Sequence, residues 1–482
     1  MKQSSFKKID FFILVFILFI ALLLRLYKFN IPLADLHSWR QADTAAVARN
    51  FVKNGFDLTH PRYDDLSNVQ SGLENPQGYR MVEFPLYNAF FAYTYKLIPS
   101  IPIEQWGRLV SITFSLLTIS VIYFLVLKEK DRMTAFFSGF IYAVFPFFVF
   151  FSRVVLPEST ALGFTFLAIF FLYLRPTKYS ILNTLFYMLS LLFFASALLI
   201  KPTVIFFSLP LAYLFFQSDK TKFLKKPFFY FYFALSVIPL FWWRNYIKAF
   251  PEGIPVNEWL ITSVNTGGGL QKIFLRPAFF RWVFFERINN LILGGFSTVF
   301  LILGILSKQK KYLFLTILLS SLVYLFVFEG GNVQHEYYQT LILPSLAIFS
   351  ALGISFLIEN RKFVSPFFSF FMIPILLAFS WFFSFYQVKN YYNHSQELVQ
   401  EAKILASLTQ PEDKIVTDRM GDTTLLYLAQ RHGAPAFYRE PESLQEFGYQ
   451  YLITSSQEAI EKLKNRNYKL VFENDKFSLF KL

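Results

Sequence analysis

The sequence contains no cysteine, which excludes a disulfide framework and a thiolate metal site. It leaves the compartment open. No glycine-rich phosphate loop occurs, so nucleotide binding is not expected. The five histidines show no HxxxH or HExxH spacing, and no internal repeat is visible. Charge is scarce as well, at 16% of 482 residues. What fills the chain is apolar: 55% hydrophobic residues, 65 of them Phe. No soluble domain needs that much apolar surface. The net charge of +14 does not point to nucleic acid, because the Lys and Arg sit in short loops between apolar runs. That is the pattern of the positive-inside rule.

The apolar runs read as Phe11–Tyr27, Gln105–Leu127, Met133–Phe151, Thr160–Leu174, Ile181–Ile200, Thr203–Phe216, Pro227–Trp243, Asn290–Leu306, Tyr312–Phe328, Tyr338–Ile358 and Val364–Tyr386. They predict a polytopic α-helical membrane protein with about eleven transmembrane helices plus juxtamembrane helices. The first run follows Lys7-Lys8 and lacks a small-x-small cleavage site, so it reads as an uncleaved anchor. Pro85–Ile98 is apolar but short. If it does not cross, the basic loops at 128–132, 175–178, 220–226, 308–311 and 361–362 all lie on the Lys7-Lys8 side; if it crosses, they all lie opposite. The first choice obeys the positive-inside rule. It makes 28–104 a first outer loop and 244–289 a later one, and leaves the tail outside.

Within 244–289, Arg276, Arg281 and Arg287 alternate with aromatic residues, as in a helix lying in the membrane interface, and Gly267-Gly-Gly269 before it reads as a joint. A plain anchor and a mobile gate over a lipid site both fit that pattern. From about residue 391 the chain becomes polar. Lys414–Thr417 and Tyr449–Thr454 read as strands, Thr423–Gln430 and Glu458–Lys464 as helices, and Tyr468–Glu473 with Phe477–Lys481 as a hairpin. The expected organisation is a membrane domain over 1–390 and a small C-terminal α/β extracytoplasmic domain over 391–482.

Ionisable residues that suit chemistry collect on the outer side. The stretch Ala34-Asp-Leu-His-Ser-Trp-Arg-Gln-Ala-Asp43 holds Asp35, His37, Arg40 and Asp43. Ser38 is expected to cap a helix from Trp39, with Arg40 and Asp43 three apart on one face. One carboxylate would take a proton from an acceptor hydroxyl while Arg40 or His37 faces a phosphate. Glu83 precedes Pro85 at the start of the doubtful apolar segment. Arg153 and Glu158 lie in one outer turn, Lys201 in another, and His335-Glu-Tyr337-Tyr338 opens a helix. Arg153, Lys201 and His335 are candidates for a lipid phosphate, whose growing charge in a transfer reaction preorganised cations stabilise. Each of these residues also has a plain structural reading, as an ion pair, an interface anchor or a helix cap. Carboxylates leave room for a divalent metal, although none is required.

The order of these parts resembles the GT-C superfamily of polyprenyl-phosphate-dependent glycosyltransferases, in particular the protein O-mannosyltransferase-like group that includes the aminoarabinose transferase of lipid A. The resemblance covers roughly 8–390. It is carried by Ala45-Ala-Val-Ala-Arg-Asn-Phe51 with Gly55, by Glu83-Phe-Pro-Leu-Tyr87, by Gly107-Arg-Leu-Val-Ser111 and by Ser152-Arg-Val-Val-Leu-Pro-Glu158. It implies a catalytic carboxylate in the first loop and a second-loop acid, here Glu158, lining the same site. Many members carry Asp-Glu where ungapped alignment through Arg49 places Arg40-Gln41. The acid then falls to Asp35 or to Asp43, with a slight lean to Asp35.

The resemblance implies an inverting transfer of a sugar from a polyprenyl-phosphate donor to an acceptor hydroxyl, at the outer face of a bacterial inner membrane. Asp35 or Asp43 would be the base. His37, Arg40, Glu83, Arg153, Glu158, Lys201, His335 and Tyr337 would bind substrates. The acceptor is a glycan, lipid or protein, with membrane lipids around the chain. A glycan polymerase or ligase using a lipid-linked donor, and a lipid or sugar transporter, are the alternative readings.

Overall fold

The structure is a computed structural model and describes residues 6–175, 181–255, 273–308, 312–360 and 364–482. The joint Gly267–Gly269, residues 271–272 of the aromatic-basic segment, and parts of three basic loops lie outside the described residues. The described chain divides into two compact units. One holds 6–29, 108–243 and 273–391; the other holds 30–107, 244–255 and 392–482.

The first unit is helical. Among the described residues four helices are long and apolar enough to cross a membrane: Ile103–Glu129, which enters this unit at Arg108, Ile181–Ile200, Glu336–Glu359 and Pro366–Leu408. Glu158–Leu174, Pro202–Ser218 and Leu313–Val327 are apolar but shorter. The sequence reading expected about eleven. The difference is one of length and charge, since a perpendicular crossing needs about 20 apolar residues. Proline opens a new helix at Pro146 inside the run 133–151, the helix Thr298–Leu306 has 9 residues, and the first helix, Lys8–Arg25, carries Lys8, Asp10 and Arg25.

The helix surfaces explain the Phe content. Helix Pro366–Val388 buries Ser369, Ile373, Ser380 and Ser384, while Phe367, Phe370 and Phe382 stand exposed. Small residues inside and large apolar ones outside suit a hydrocarbon solvent. Gly304 and Gly353 mark a close helix crossing: a Cβ on Gly304 would lie 1.8 Å from the Phe349 carbonyl oxygen, and one on Gly353 1.8 Å from that of Phe300.

Buried charge ties this unit together. Asp10 is fully buried; it accepts from Arg132 Nε at 2.6 Å and from the Tyr123 hydroxyl at 3.2 Å. Arg25, Arg108 and Arg153 are also fully buried. Arg25 donates to Ser152 Oγ at 2.7 Å and to the Ala143 and Tyr142 carbonyls. Arg108 donates to the Phe29 carbonyl and Arg153 to that of Tyr27, at 2.5 and 2.9 Å. Three guanidiniums thus satisfy carbonyls around the end of the first helix, where the helix dipole is negative.

The second unit holds a five-stranded sheet: β1 Lys414–Thr417, β2 His432–Ala434, β3 Tyr451–Thr454, β4 Lys469–Glu473 and β5 Ser478–Lys481, in the order β2-β1-β3-β5-β4. β1 runs parallel to β2 and β3, and β5 antiparallel to β3 and β4. Four strands and both helices fall where the sequence patterning expects them; β2, three residues long, was not anticipated. Its outer edge is covered by the loop at 64–66, through Gly433 N to the Asp64 carbonyl at 2.9 Å and Leu66 N to the Gly433 carbonyl at 2.7 Å. Covering an edge in this way blocks pairing with foreign strands.

Two helices of the early loop belong to this unit. Ser38–Asn54 is buried from Arg40 to Phe51 although its interior face is largely alanine, so it packs close to its neighbours. Leu86–Leu97, the expected non-crossing segment, is a helix of 12 residues. At 1.5 Å per residue it is roughly 18 Å long, too short for the hydrocarbon core.

Candidate active site

The helix Ser38–Asn54 starts one residue earlier than expected, and Ser38 is not its cap. His37 holds that place in a left-handed conformation, with φ 57° and no side-chain capping bond. Its carbonyl accepts from the Arg40 and Gln41 amides. The tight turn brings Asp35 back against the helix. Asp35 is 3% exposed and accepts from Gln41 Nε2 at 2.7 Å; the same amide also donates to the Leu36 carbonyl at 3.0 Å.

Arg40 and Asp43, three apart on the helix, each meet a partner from outside it. Arg40 Nη2 donates to both oxygens of Glu83, at 2.8 and 2.9 Å. Asp43 lies 3.0 Å from Arg80 Nη2 and accepts from Thr423 Oγ1 at 2.6 Å. The reason is geometric. Glu83 and Arg80 come from a neighbouring segment that passes the helix, and each offers an opposite charge in a better direction than an i, i+3 neighbour does. Burial pushes the Asp43 carboxyl above the ordinary range, while Arg80 and Thr423 pull it back. Arg40–Glu83 and Asp43–Arg80 thus form two ion pairs on this helix, and Asp35 lies just before its start.

A second set of acids went unnoticed in the sequence. Asp64 accepts both bonds of a fork from Arg49 Nη2 at 2.6 and 2.5 Å, and Arg49 also donates to the Tyr427 carbonyl. Asp65 is fully buried, accepts from Ser67 Oγ and the Tyr63 hydroxyl, and is pushed up to about 7 by burial. Arg62-Tyr-Asp-Asp65 has no periodicity to flag it. The partners that give it meaning lie far along the chain.

The helical unit gathers the other candidates. Glu158 begins a helix behind Pro157, is 2% exposed, and pairs with Lys201 Nζ at 2.8 Å. Lys201 Nζ also lies 5.2 Å from the Tyr338 ring centroid. His335 stacks on Tyr337 with ring centroids 5.3 Å apart and planes 11° from parallel. Arg287 holds this loop by donating to Gln339 Oε1 at 3.2 Å and to the Val333 carbonyl at 2.6 Å; it stands 3.8 Å from Glu336. Arg287 lies in the segment whose pattern fits an interfacial anchor or a gate; here it is buried, while Arg276 and Arg281 are exposed. Arg153 donates to the Tyr27 carbonyl inside the unit.

Among the described residues no group of three His, Cys, Asp or Glu is placed to hold a metal ion.

Residues 84–243 match the family model described as dolichyl-phosphate-mannose-protein mannosyltransferase. No curated protein matches the chain by sequence. Solved structures do match in fold. ArnT from Cupriavidus metallidurans bound to undecaprenyl phosphate is 14% identical with a TM-score of 0.67, over 97% of each chain. The Archaeoglobus fulgidus oligosaccharyltransferase AglB, in complex with an inhibitory peptide and a dolichol-phosphate, is 13% identical with a TM-score of 0.56, over 93% of this chain and 69% of that one. The arabinofuranosyltransferase AftD from Mycobacteria is 13% identical with a TM-score of 0.57, over 94% of this chain and 37% of that one. The family match over part of the chain and the fold shared along nearly all of it bear out the resemblance to the GT-C superfamily of glycosyltransferases.

Proposed function

We propose that the chain transfers a sugar from a polyprenyl-phosphate donor to an acceptor hydroxyl, on the outer side of a bacterial inner membrane, with Asp35 as general base. The acceptor oxygen attacks the anomeric carbon, the bond from that carbon to the phosphate oxygen breaks, and the hydroxyl proton passes to Asp35. A single displacement inverts the anomeric centre. The lipid phosphate leaves with its charge increased, and preorganised cations lower that barrier. Arg40 and His37, at the same helix start as Asp35, are the groups we put in that role. Glu83 orients Arg40.

The observation that carries the choice of base is the fate of the two rival aspartates. Asp43 is held between Arg80 and Thr423, with both oxygens engaged. Asp35 sits before the helix, where the left-handed turn at His37 places it, and it accepts from the Gln41 amide. Asp43, by contrast, is committed within the fold to an ion pair and a hydroxyl, and a base must reach the acceptor hydroxyl before its basicity matters. Binding of undecaprenyl phosphate by one fold relative and of a dolichol-phosphate by another supports the choice of donor class.

The test is transfer by the purified protein in liposomes, supplied with undecaprenyl-phosphate sugars and read by mass spectrometry of donor consumed and product formed. Asp35→Asn should lower turnover by about 10²–10⁴, the range for losing a general base, with undecaprenyl phosphate affinity within twofold of wild type. Full activity in Asp35→Asn would sink the assignment.

A further inference from the structure

The sheet unit contains an arrangement that the reaction above does not use. In parallel α/β sheets the loops at the carboxyl ends of the strands carry ligands and functional groups, and the favoured crevice opens where the strand order reverses. Here that point lies between β1 and β3, because the chain leaves β1 for β2 on one side and returns to β3 on the other. The crevice is filled by the protein itself. Asp418 Oδ2 accepts from the Ser455 amide at 2.7 Å and from Thr454 Oγ1 at 2.7 Å, at the start of the helix Gln457–Asn465. A carboxylate thus stands where an anionic ligand would bind.

The loop that follows Asp418 is rigid. The Arg419 and Gly421 amides both donate to the Pro435 carbonyl at 3.1 Å, and Asp422 Oδ1 caps the Thr424 amide at 2.8 Å. From this support two hydroxyls reach the start of the helix Ser38–Asn54. Thr423 Oγ1 donates to Asp43 Oδ1 at 2.6 Å, and Thr424 Oγ1 to Ser38 Oγ at 3.0 Å. Thr423 and Asp43 are 2% and 1% exposed. Both contacts fall within the first two turns of the helix that carries Arg40 and Gln41.

We propose that Thr423, supported by Thr424, is a positioning residue: the sheet domain uses the loop after β1 to fix the first turns of the helix Ser38–Asn54, and through Gln41 and Arg40 the placement of Asp35 and Glu83. This rests on the reading of Asp35 as base. The physical argument is preorganisation. A base held within a fraction of an ångström of its working position keeps the proximity advantage, and a misplacement of about 1 Å costs on the order of 10²-fold. The Thr423 and Thr424 hydroxyls give that helix start two fixed contacts.

Thr423→Val keeps the shape and removes the donor; Thr423→Ser keeps the donor. Amide hydrogen exchange of residues 40–44 in the full chain, in nanodiscs, reads the helix start directly. Thr423→Val should speed exchange there at least tenfold while the β1 amides stay as in wild type, and Thr423→Ser should restore it. Turnover should fall with the faster exchange, with undecaprenyl phosphate affinity within twofold. Unchanged exchange at 40–44, or a loss that Ser does not restore, overturns the proposal. If Thr423→Val does not accumulate, Thr424→Ala makes the same reading through Ser38. Altered exchange in a chain whose wild type moves no polyprenyl-linked sugar would keep the positioning role and reject the transferase reading; wild-type transfer with no effect of Thr423→Val would do the reverse.

Discussion

Arg40 Nη2 lies between the two carboxylate oxygens of Glu83, at 2.8 and 2.9 Å. These residues belong to separate motifs, one in the early polar stretch and one before Pro85, and the structure makes them one ion pair at the start of the helix Ser38–Asn54. Both are largely buried, with side-chain exposures of 10% and 18%.

Removing the acid should therefore disturb more than a surface contact. Glu83→Ala takes the Glu83 carboxylate away from the Arg40 guanidinium, at a cost of about 2 kcal/mol for a lost charge-assisted bond. Turnover should fall at least tenfold, and Glu83→Asp, which keeps the charge on a shorter arm, should fall between Ala and wild type. Thermal midpoints and initial rates of the three proteins check both parts.

The buried pair Glu158–Lys201 predicts a separable outcome. Lys201→Met strands a carboxylate that is 2% exposed and should destabilise by about 3–5 kcal/mol, the usual penalty for breaking such a pair. Lys201→Met with Glu158→Leu removes both charges and should recover most of that loss. Thermal midpoints of the single and double variants check it.

Asp65 predicts a pH dependence. Its carboxyl is pushed up to about 7 by burial, against about 3.9 in an unfolded chain. Between those values the folded state holds a proton that the unfolded state has lost. Stability is then greatest at the acid end of the window and declines as pH rises from about 4 to 7, by roughly 1.4 kcal/mol per unit. Asp43, raised for the same reason, adds with the same sign. Asp65→Asn keeps an oxygen for Ser67 and should flatten the profile, leaving the variant more stable than wild type at pH 8. Hydrogen exchange of the sheet amides at pH 5 and 8 measures it; a wild-type sheet more stable at pH 8 than at pH 5 would contradict the sign.

The Gly304–Gly353 crossing predicts a steric effect. A methyl group at either position meets a backbone oxygen at 1.8 Å, and backbone cannot rotate aside. Gly304→Ala or Gly353→Ala should destabilise by about 3 kcal/mol or reduce the folded yield, near the upper end of overpacking costs. Ser297→Ala, buried at the start of the same helix, adds no atom; it is the control and should be close to neutral. Thermal midpoints in one detergent decide it.

Local pattern made much of this molecule readable. The tail strands β1, β3, β4 and β5 and the helix Gln457–Asn465 follow from alternation and helical spacing, and those signals are local to a few residues. The short helix Leu86–Leu97 followed from the length of its apolar run. Apolar runs identified a membrane-type chain; of the expected crossings, four among the described residues are single helices long and apolar enough to span, since hydropathy does not see where Pro146 opens a new helix or where a helix ends after 9 residues.

The candidate residues themselves were visible as polar side chains in an apolar chain; their partners were not. Arg40 and Asp43 stand three apart, and spacing alone pairs them. Only the tertiary structure gives Arg40 to Glu83, 43 positions on, and Asp43 to Arg80 and to Thr423, 380 positions on. Spacing along one helix sets which side chains share a face. Which opposite charge reaches that face first depends on segments folded against it, and that information is spread along the whole chain.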